Sequence, residues 1–345
     1  MRNIRIKVDL SDISILCTEM QSFDFCFDPE VYKNGETFRR QIFLISVAKG
    51  EYSIFDTIHK VKLYQGKDNY VHKPRNFVCF YKKYFCYFED YVESFKEKLD
   101  LQLYLYDNPE DQKYSPYDRY IFFQYAPKPE PNFIFVNTEQ ISRQEYFDNA
   151  EKALHQGTPL IDYSPENIYL LVKIPRRKFL LRYQYLSREV DALKSWIPEK
   201  PLVDVVFVGT MSPKRGQIID ALRAKGITVC IVQGWGEQRD RELVKGKLLL
   251  NLHFHETYGV YESIRCDRLI FSGMMVVTEK SLHQDKNDIN ELLFIAEYKN
   301  IVSKVEEILG DYENIKKEFM DKSERILPLI IQEREKDIDA LSAIL

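Results

Sequence analysis

The sequence has no apolar run approaching the roughly 18 residues of a membrane span. Its start, Met1-Arg-Asn-Ile-Arg-Ile-Lys7, passes directly into an alternating segment without an apolar signal core. The expectation is a soluble protein with no transmembrane segment, made and kept in the cytoplasm. No C-x-x-C pair occurs among Cys17, Cys26, Cys79, Cys86, Cys230 and Cys266, and several stand inside apolar runs such as Phe77-Val-Cys-Phe80. This pattern suits reduced, buried thiols rather than a disulfide framework. Charge of one sign is also lacking. The 49 basic and 53 acidic residues leave a net charge of -4, too balanced for the positive field that sequence-independent nucleic-acid binding requires. Internal repeats and low-complexity tracts are absent as well. The only D-x-D is Asp337-Ile-Asp339, in a charged tail, so the strand-end motif that usually holds a divalent ion is missing.

What remains is a chain of 345 residues, long enough for two domains, with 45% hydrophobic residues to fill two cores. The 23 Tyr and 22 Phe are read chiefly as core and strand residues. The second half alternates clearly. Leu202-Val-Asp-Val-Val-Phe-Val-Gly209 reads as a buried parallel strand. Ser212-Pro213 supplies an N-cap and a first helical proline, and Gly226 stops the helix. Strands follow at Ile227 to Gln233, Lys247 to Phe254, Met274 to Thr278 and Leu292 to Ala296. Helices lie between at Glu237 to Val244 and Glu262 to Ser272, with Ile301 to Leu309 after the last strand. This spacing predicts βαβ units and one doubly wound parallel sheet. In the first half, strands are expected at Ile4 to Leu10, Arg40 to Ala48, Leu101 to Tyr106, Tyr120 to Tyr125 and Asn132 to Val136. Helices are expected at Phe88 to Leu99 and Ser142 to His155. Ser187 to Trp196 reads as a connecting helix, and Tyr312 to Leu345 as a helical tail.

An open α/β sheet binds ligands beyond the carboxyl ends of its strands. The first such end, Gly209-Thr210-Met-Ser-Pro-Lys214-Arg215, joins a glycine, a helix N-terminus and two cations, a combination that suits a diphosphate or else a solvated face. The second, Gln233-Gly-Trp-Gly236, suits a planar base or a tight turn around a packed Trp235. The third, Asn251-Leu-His253-Phe-His255, places three polar side chains on one face if the strand continues. Without a completing cysteine or carboxylate pattern, no metal site is expected there. The fourth is Tyr258-Gly259-Val260-Tyr261-Glu262-Ser-Ile-Arg265, a glycine loop entering a helix whose Glu262 and Arg265 lie one turn apart. They act on a ligand or form a surface ion pair.

Those residues, with Gly273 and Val276-Val277-Thr-Glu279, resemble the donor half of GT-B glycosyltransferases, in particular the spore-maturation type and similar enzymes of large DNA viruses. Asn137-Thr-Glu139-Gln140 and Ile161-Asp162-Tyr-Ser164-Pro-Glu-Asn167 carry a fainter echo of the same enzymes. The resemblance implies two Rossmann-like domains with parallel sheets facing across a cleft. The division it suggests is residues 1–185 on the acceptor side, a linker at 186–201, a nucleotide-sugar domain at 202–325, and a helix at 326–345 packing back towards the first domain. It implies sugar transfer from a nucleotide-sugar to a glycan or other hydroxyl acceptor, with no metal or other cofactor. The donor contacts it suggests are Gly209, Thr210, Lys214, Arg215, Gln233, His255, Tyr258, Gly259, Val260, Tyr261, Glu262 and Arg265. Asp162 and Glu139 are the candidate bases for an inverting transfer, and the competing reading makes Asp162 the cap of a turn and Glu139 the cap of the helix beginning near Ser142. A nucleotide-sugar epimerase and a non-catalytic binding module of the same architecture are the alternatives.

Overall fold

The computed structural model describes residues 75–108, 114, 118–123, 130 and 132–345 in full, with the backbone of eight strands between residues 5 and 67. Met1–Arg75 with Tyr114–Arg119 forms one compact unit. Its strands are β1 Arg5–Asp9, β2 Asp12–Leu16, β3 Ser22–Cys26, β4 Val31–Lys33, β5 Glu36–Phe38, β6 Ile42–Ala48, β7 Glu51–Asp56 and β8 Val61–Lys67. They form two four-stranded sheets, ordered β2-β1-β4-β5 and β3-β6-β7-β8. β1 and β2 pair antiparallel, as do the strands of the second sheet.

The second unit, Asn76–Lys113 with Tyr120–Leu345, carries both parallel sheets. The first sheet runs β10-β9-β11-β12-β13-β14, built from β9 Asn76–Tyr81, β10 Leu101–Tyr106, β11 Arg119–Phe123, β12 Phe133–Asn137, β13 Leu160–Asp162 and β14 Lys178–Leu180. Its helices are α1 Glu89–Lys96, α2 Gln144–His155 and α3 Pro165–Leu170. After α4 Ser187–Trp196 comes the second sheet, ordered β16-β15-β17-β18-β19. It comprises β15 Val203–Val208, β16 Val229–Val232, β17 Gly246–Asn251, β18 Met275–Glu279 and β19 Leu293–Ala296, every neighbouring pair parallel. α5 Pro213–Ala224, α6 Gly236–Leu243, α7 Ser263–Phe271 and α8 Ile301–Gly310 alternate with these strands, and the tail is the single long α9 Tyr312–Ser342. Two parallel sheets with their helices and a helical C-terminal region make the α/β, GT-B-like architecture that the resemblance implies.

Local chemistry explains the elements that place the site. Ser212 caps α5 through its hydroxyl, which accepts from the Arg215 N–H, and Pro213 occupies the first helical position where no N–H is needed. Ser164 and Pro165 repeat the device on α3. One cluster of buried side chains runs from Val78 and Phe123 in the first sheet, through Leu181, Val190 and Leu193, to Leu249 and Val276 in the second. Apolar side chains of both sheets therefore belong to one contiguous cluster. The third strand of the second sheet ends at Asn251 and not at Phe254, so Asn251, His253 and His255 do not share a strand face as expected. Among the described residues, Cys79, Cys86, Cys230 and Cys266 are free thiols, and no helix is long and apolar enough to cross a membrane. Cys17, the side chain of Cys26 and the end of the strand expected at Tyr120 to Tyr125 lie outside the described residues.

Candidate functional site

The carboxyl ends of both sheets open on a cavity of about 600 Å³. The second sheet contributes Gly209 and Thr210 after β15, Gln233, Gly234 and Trp235 after β16, and Glu262 and Arg265 at the start of α7. Thr138 and Tyr163, after β12 and β13, line it from the first sheet, and Tyr87 and Phe88 close one end. Trp235 is 45% exposed, with the Tyr87 ring 4.4 Å from its own, so this indole stands at the cavity wall instead of packing into the core. The Thr138 hydroxyl oxygen is buried and has no hydrogen-bond partner.

Gly209 is held at φ +137, where side chains are strained, and a Cβ there would stand 3.3 Å from Arg215 Nη1 and 3.4 Å from Arg265 Cζ. Two guanidinium groups thus converge beneath the glycine turn. Their roles differ. Arg215 is buried, donating from Nε (3.0 Å) and Nη2 (2.7 Å) to the Leu252 carbonyl and from Nη1 (2.7 Å) to that of Thr210, while packed against the Phe207 and Phe254 rings. Burial, and then the Arg265 charge, push its pKa down to about 10. Arg265 instead lines the cavity, 3.3 Å from Asn251 Oδ1 and 3.8 Å from Glu262 Oε2. Arg215 braces the turn, and Arg265 is the guanidinium that faces the cavity.

The remaining expected contacts separate into distinct places. Lys214 turns away from the first cavity. Its ammonium pairs with Glu279 at 2.6 Å and lies over the Tyr298 ring, at a second cavity of about 450 Å³ that Tyr258 and Gly259 also line. Val260 and Tyr261 are corrected to core residues. Their N–H groups donate to Gln140 Oε1 (3.0 Å) and Glu166 Oε1 (3.3 Å), and the Tyr261 hydroxyl donates to Asp267. The His255 side chain is 60% exposed beside Glu256 and Thr257 and lines neither cavity, because the chain turns away once β17 has ended. Reading the sequence missed Thr138, Tyr163 and Tyr87. The first two directly follow strand ends, the one signal that marks them.

The two candidate bases also part company. Asp162 is fully buried and accepts hydrogen bonds from Asn137 Nδ2 (2.7 Å), the Ser164 N–H (2.8 Å) and Asn167 Nδ2 (3.0 Å). Burial raises its pKa to about 7 against the pull of those donors. It caps the turn, as the competing reading has it, and has no surface to offer an acceptor. The same two amides, Asn137 and Asn167, donate at 2.8 and 2.9 Å to the carbonyl of Glu139, so Asp162 fixes the Glu139 loop through them. The Glu139 carboxyl is held above the usual carboxylate range by burial and by the nearby Glu262, with Arg143 opposing. A half-buried carboxyl raised in this way takes a proton more readily than an ordinary carboxylate. Gln140 donates to Glu262, Arg143 to the Tyr258 hydroxyl and the Gly259 N–H to Ser142, so the loop after β12 grips the glycine loop before α7.

No family model matches the chain. It is 40% identical over 219 residues to uncharacterized protein L140 of Acanthamoeba polyphaga mimivirus, covering 59% of this chain and 69% of L140. It is 33% identical over 290 residues to uncharacterized protein L137 of the same virus, covering 81% of this chain and 38% of L137. The chain thus spans well under half of L137, and the L140 match places it in one family with that protein: the chain belongs to the L140 family. Among solved structures it is similar to T4 phage BGT in complex with UDP and Mn2+, with a TM-score of 0.47 and 12% identity over 79% of this chain and 99% of the other. It is also similar to an alpha1,3-fucosyltransferase, with a TM-score of 0.37 and 15% identity over 72% of this chain and 81% of the other.

Proposed function

We propose that this member of the L140 family is a glycosyltransferase that moves a sugar from a nucleotide-sugar to a hydroxyl acceptor such as a glycan. The observation that carries the reading is the 600 Å³ cavity at the carboxyl ends of two parallel sheets, where an anion-seeking turn adjoins an aromatic slot. Gln233, Gly234 and Trp235, faced by Tyr87, would take the base. Gly209, the positive end of the α5 dipole and Arg265 would take the diphosphate. Glu262, on the same wall, would take the ribose hydroxyls.

In an inverting displacement, the acceptor oxygen forms its bond to the anomeric carbon as the bond to the diphosphate oxygen breaks, and the nucleoside diphosphate leaves with the electron pair. The acceptor proton passes to the Glu139 carboxylate. Charge growing on the diphosphate is met by Arg265 and the α5 N-terminus. The reaction so written needs neither metal nor cofactor, and turnover should be unchanged, within about twofold, after EDTA treatment.

A thermal-shift panel of UDP and GDP sugars tests the reading, since a ligand that binds the native state raises apparent stability. Selective stabilisation, followed by product formation that requires an added acceptor, is the expected result. A product formed from donor alone points to epimerisation. No shift with any nucleotide or nucleotide-sugar removes the donor reading.

A further inference from the structure

The second cavity has no part in the reading above. Its wall includes Lys214, His253, Tyr258, Gly259, Glu279 and Tyr298. His253 is buried, only 3% exposed, and its Nε2 has no hydrogen-bond partner. A polar ring nitrogen so deep and unpaired is disfavoured unless a ligand completes it. The other side of the residue is fixed: its N–H donates to Glu279 Oε2 at 3.0 Å, and its Nδ1 lies 3.8 Å from Glu279 Oε1.

Two chain segments wall both cavities. Gly209 and Thr210 face the first and Lys214 the second, at one end of α5. Glu262 and Arg265 face the first, and Tyr258 and Gly259 the second, in one loop. The start of α5 and the loop into α7 therefore carry residues of both cavities, on either side of the turn that Gly209 and Arg265 form. A molecule with a base in one and a further group in the other would lay its diphosphate over that turn. We propose that the second cavity holds the sugar of the nucleotide-sugar donor, with His253 Nε2 hydrogen-bonded to a sugar hydroxyl; this rests on the donor reading above.

The lining also selects the class of sugar. Among the described residues that line this cavity, Lys214 pairs with Glu279 and Lys280 with Glu297 at 2.7 Å, so each lysine already faces a carboxylate of the chain, which disfavours a carboxylated sugar. Burial and the neighbouring cations lower the His253 pKa to about 4, so the ring is neutral at physiological pH. A neutral imidazole between paired charges suits the uncharged hydroxyls of a neutral sugar. Sites built to hydrogen-bond a hydroxyl lose affinity sharply when either partner is removed.

The test uses the full chain and calorimetric titration with UDP-glucose, UDP-galactose, GDP-mannose and GDP-fucose, each beside its own nucleoside diphosphate. For the sugar that binds, His253→Ala and the volume-keeping His253→Phe should each raise Kd by tenfold or more. The free nucleoside diphosphate should stay within twofold of wild type. Equal losses for sugar and diphosphate, or no loss for the sugar in either variant, would overturn the assignment. Wild-type protein that binds UDP or GDP but gains nothing from any attached sugar would overturn it while leaving the nucleotide slot standing. Failure to bind either would remove the donor reading and this pocket with it.

Discussion

Arg215 and Arg265 touch the same glycine turn and should fail in opposite ways when lost. Arg265 lines the cavity with part of its side chain exposed, so Arg265→Ala should weaken nucleotide-sugar binding about tenfold or more with little change in melting temperature. Arg215 satisfies the Leu252 and Thr210 carbonyls from a buried position, and Arg215→Ala leaves both acceptors unpaired and a void beside two phenyl rings. That variant should lose roughly 2–4 kcal/mol of stability by denaturant titration, and a loss of binding without such destabilisation would contradict the division of roles. The two acidic side chains of the first sheet divide likewise. Glu139→Gln should lower turnover by roughly 100-fold or more at saturating substrates, with unchanged donor affinity and loss of the acid limb of the pH-rate profile. Asp162→Asn puts an amide where three donors converge, so its activity loss should come with a lowered melting temperature and a retained acid limb. A stable Asp162→Asn enzyme lacking that limb would return the base to Asp162.

Held across from the first sheet, the glycine loop before α7 depends on Gln140, Ser142 and the α3 carboxylate Glu166, which accepts from the Tyr261 N–H and from Asn287. Burial pushes the Glu166 pKa up to about 7. A carboxyl whose folded pKa lies above its unfolded value binds its proton more tightly when native. Its stabilisation is complete below the unfolded value near 4.5 and is lost as pH rises through about 7. Asp162 shifts the same way. The melting temperature should therefore fall between pH 5 and pH 8, and Glu166→Gln, which keeps a carbonyl acceptor, should flatten that fall by roughly 2–4 °C. A wild-type profile that rises over this range would show the loop to be held by other means. The elements themselves were legible because their punctuation is local: Ser212-Pro213 and Gly226 bound α5, and Leu101–Tyr106 and Ser187–Trp196 form with the bounds the sequence predicts. β14 was not, being three residues, too short to show a period. At the site, strand ends found Gly209, Gln233, Glu262 and Arg265. Which of two adjacent cations, Lys214 or Arg215, faces a ligand depends on carbonyl and carboxylate partners dozens of residues away, and neither proved to be the exposed one.

Across the whole second unit, buried ion networks join elements far apart in the chain. Arg268 reaches Asp240 and Glu189, and Arg239 reaches Asp240 and Asp90, so α1, α4, α6 and α7 meet at the end of the first cavity. In the tail, Asp337 of α9 accepts from Arg182 just after β14, which also accounts for half of the lone D-x-D. Arg334 of α9 pairs at 2.8 Å with Asp267 of α7 and at 2.8 Å with Asp288, and donates to the Tyr183 carbonyl. Such networks add little net stability when complete, but breaking one strands a charge. Asp267 is fully buried and, even beside Arg334, burial pushes its pKa up to about 6. Arg334→Ala removes the largest opposing influence, so the Asp267 pKa should climb further. The variant should lose roughly 3–5 kcal/mol at pH 8, where Asp267 must be charged or take up a proton against the pH gradient. The sign follows from linkage: a folded pKa raised further above the unfolded value lowers stability as pH rises, so the deficit should shrink by pH 5.5. Asp267→Asn on the Arg334→Ala background removes the stranded charge and should recover stability at pH 8 more than at pH 5.5. Denaturant titrations of the single and double variants at the two pH values check this, and a deficit independent of pH would assign the loss to packing of Arg334 against Phe271 instead of to charge.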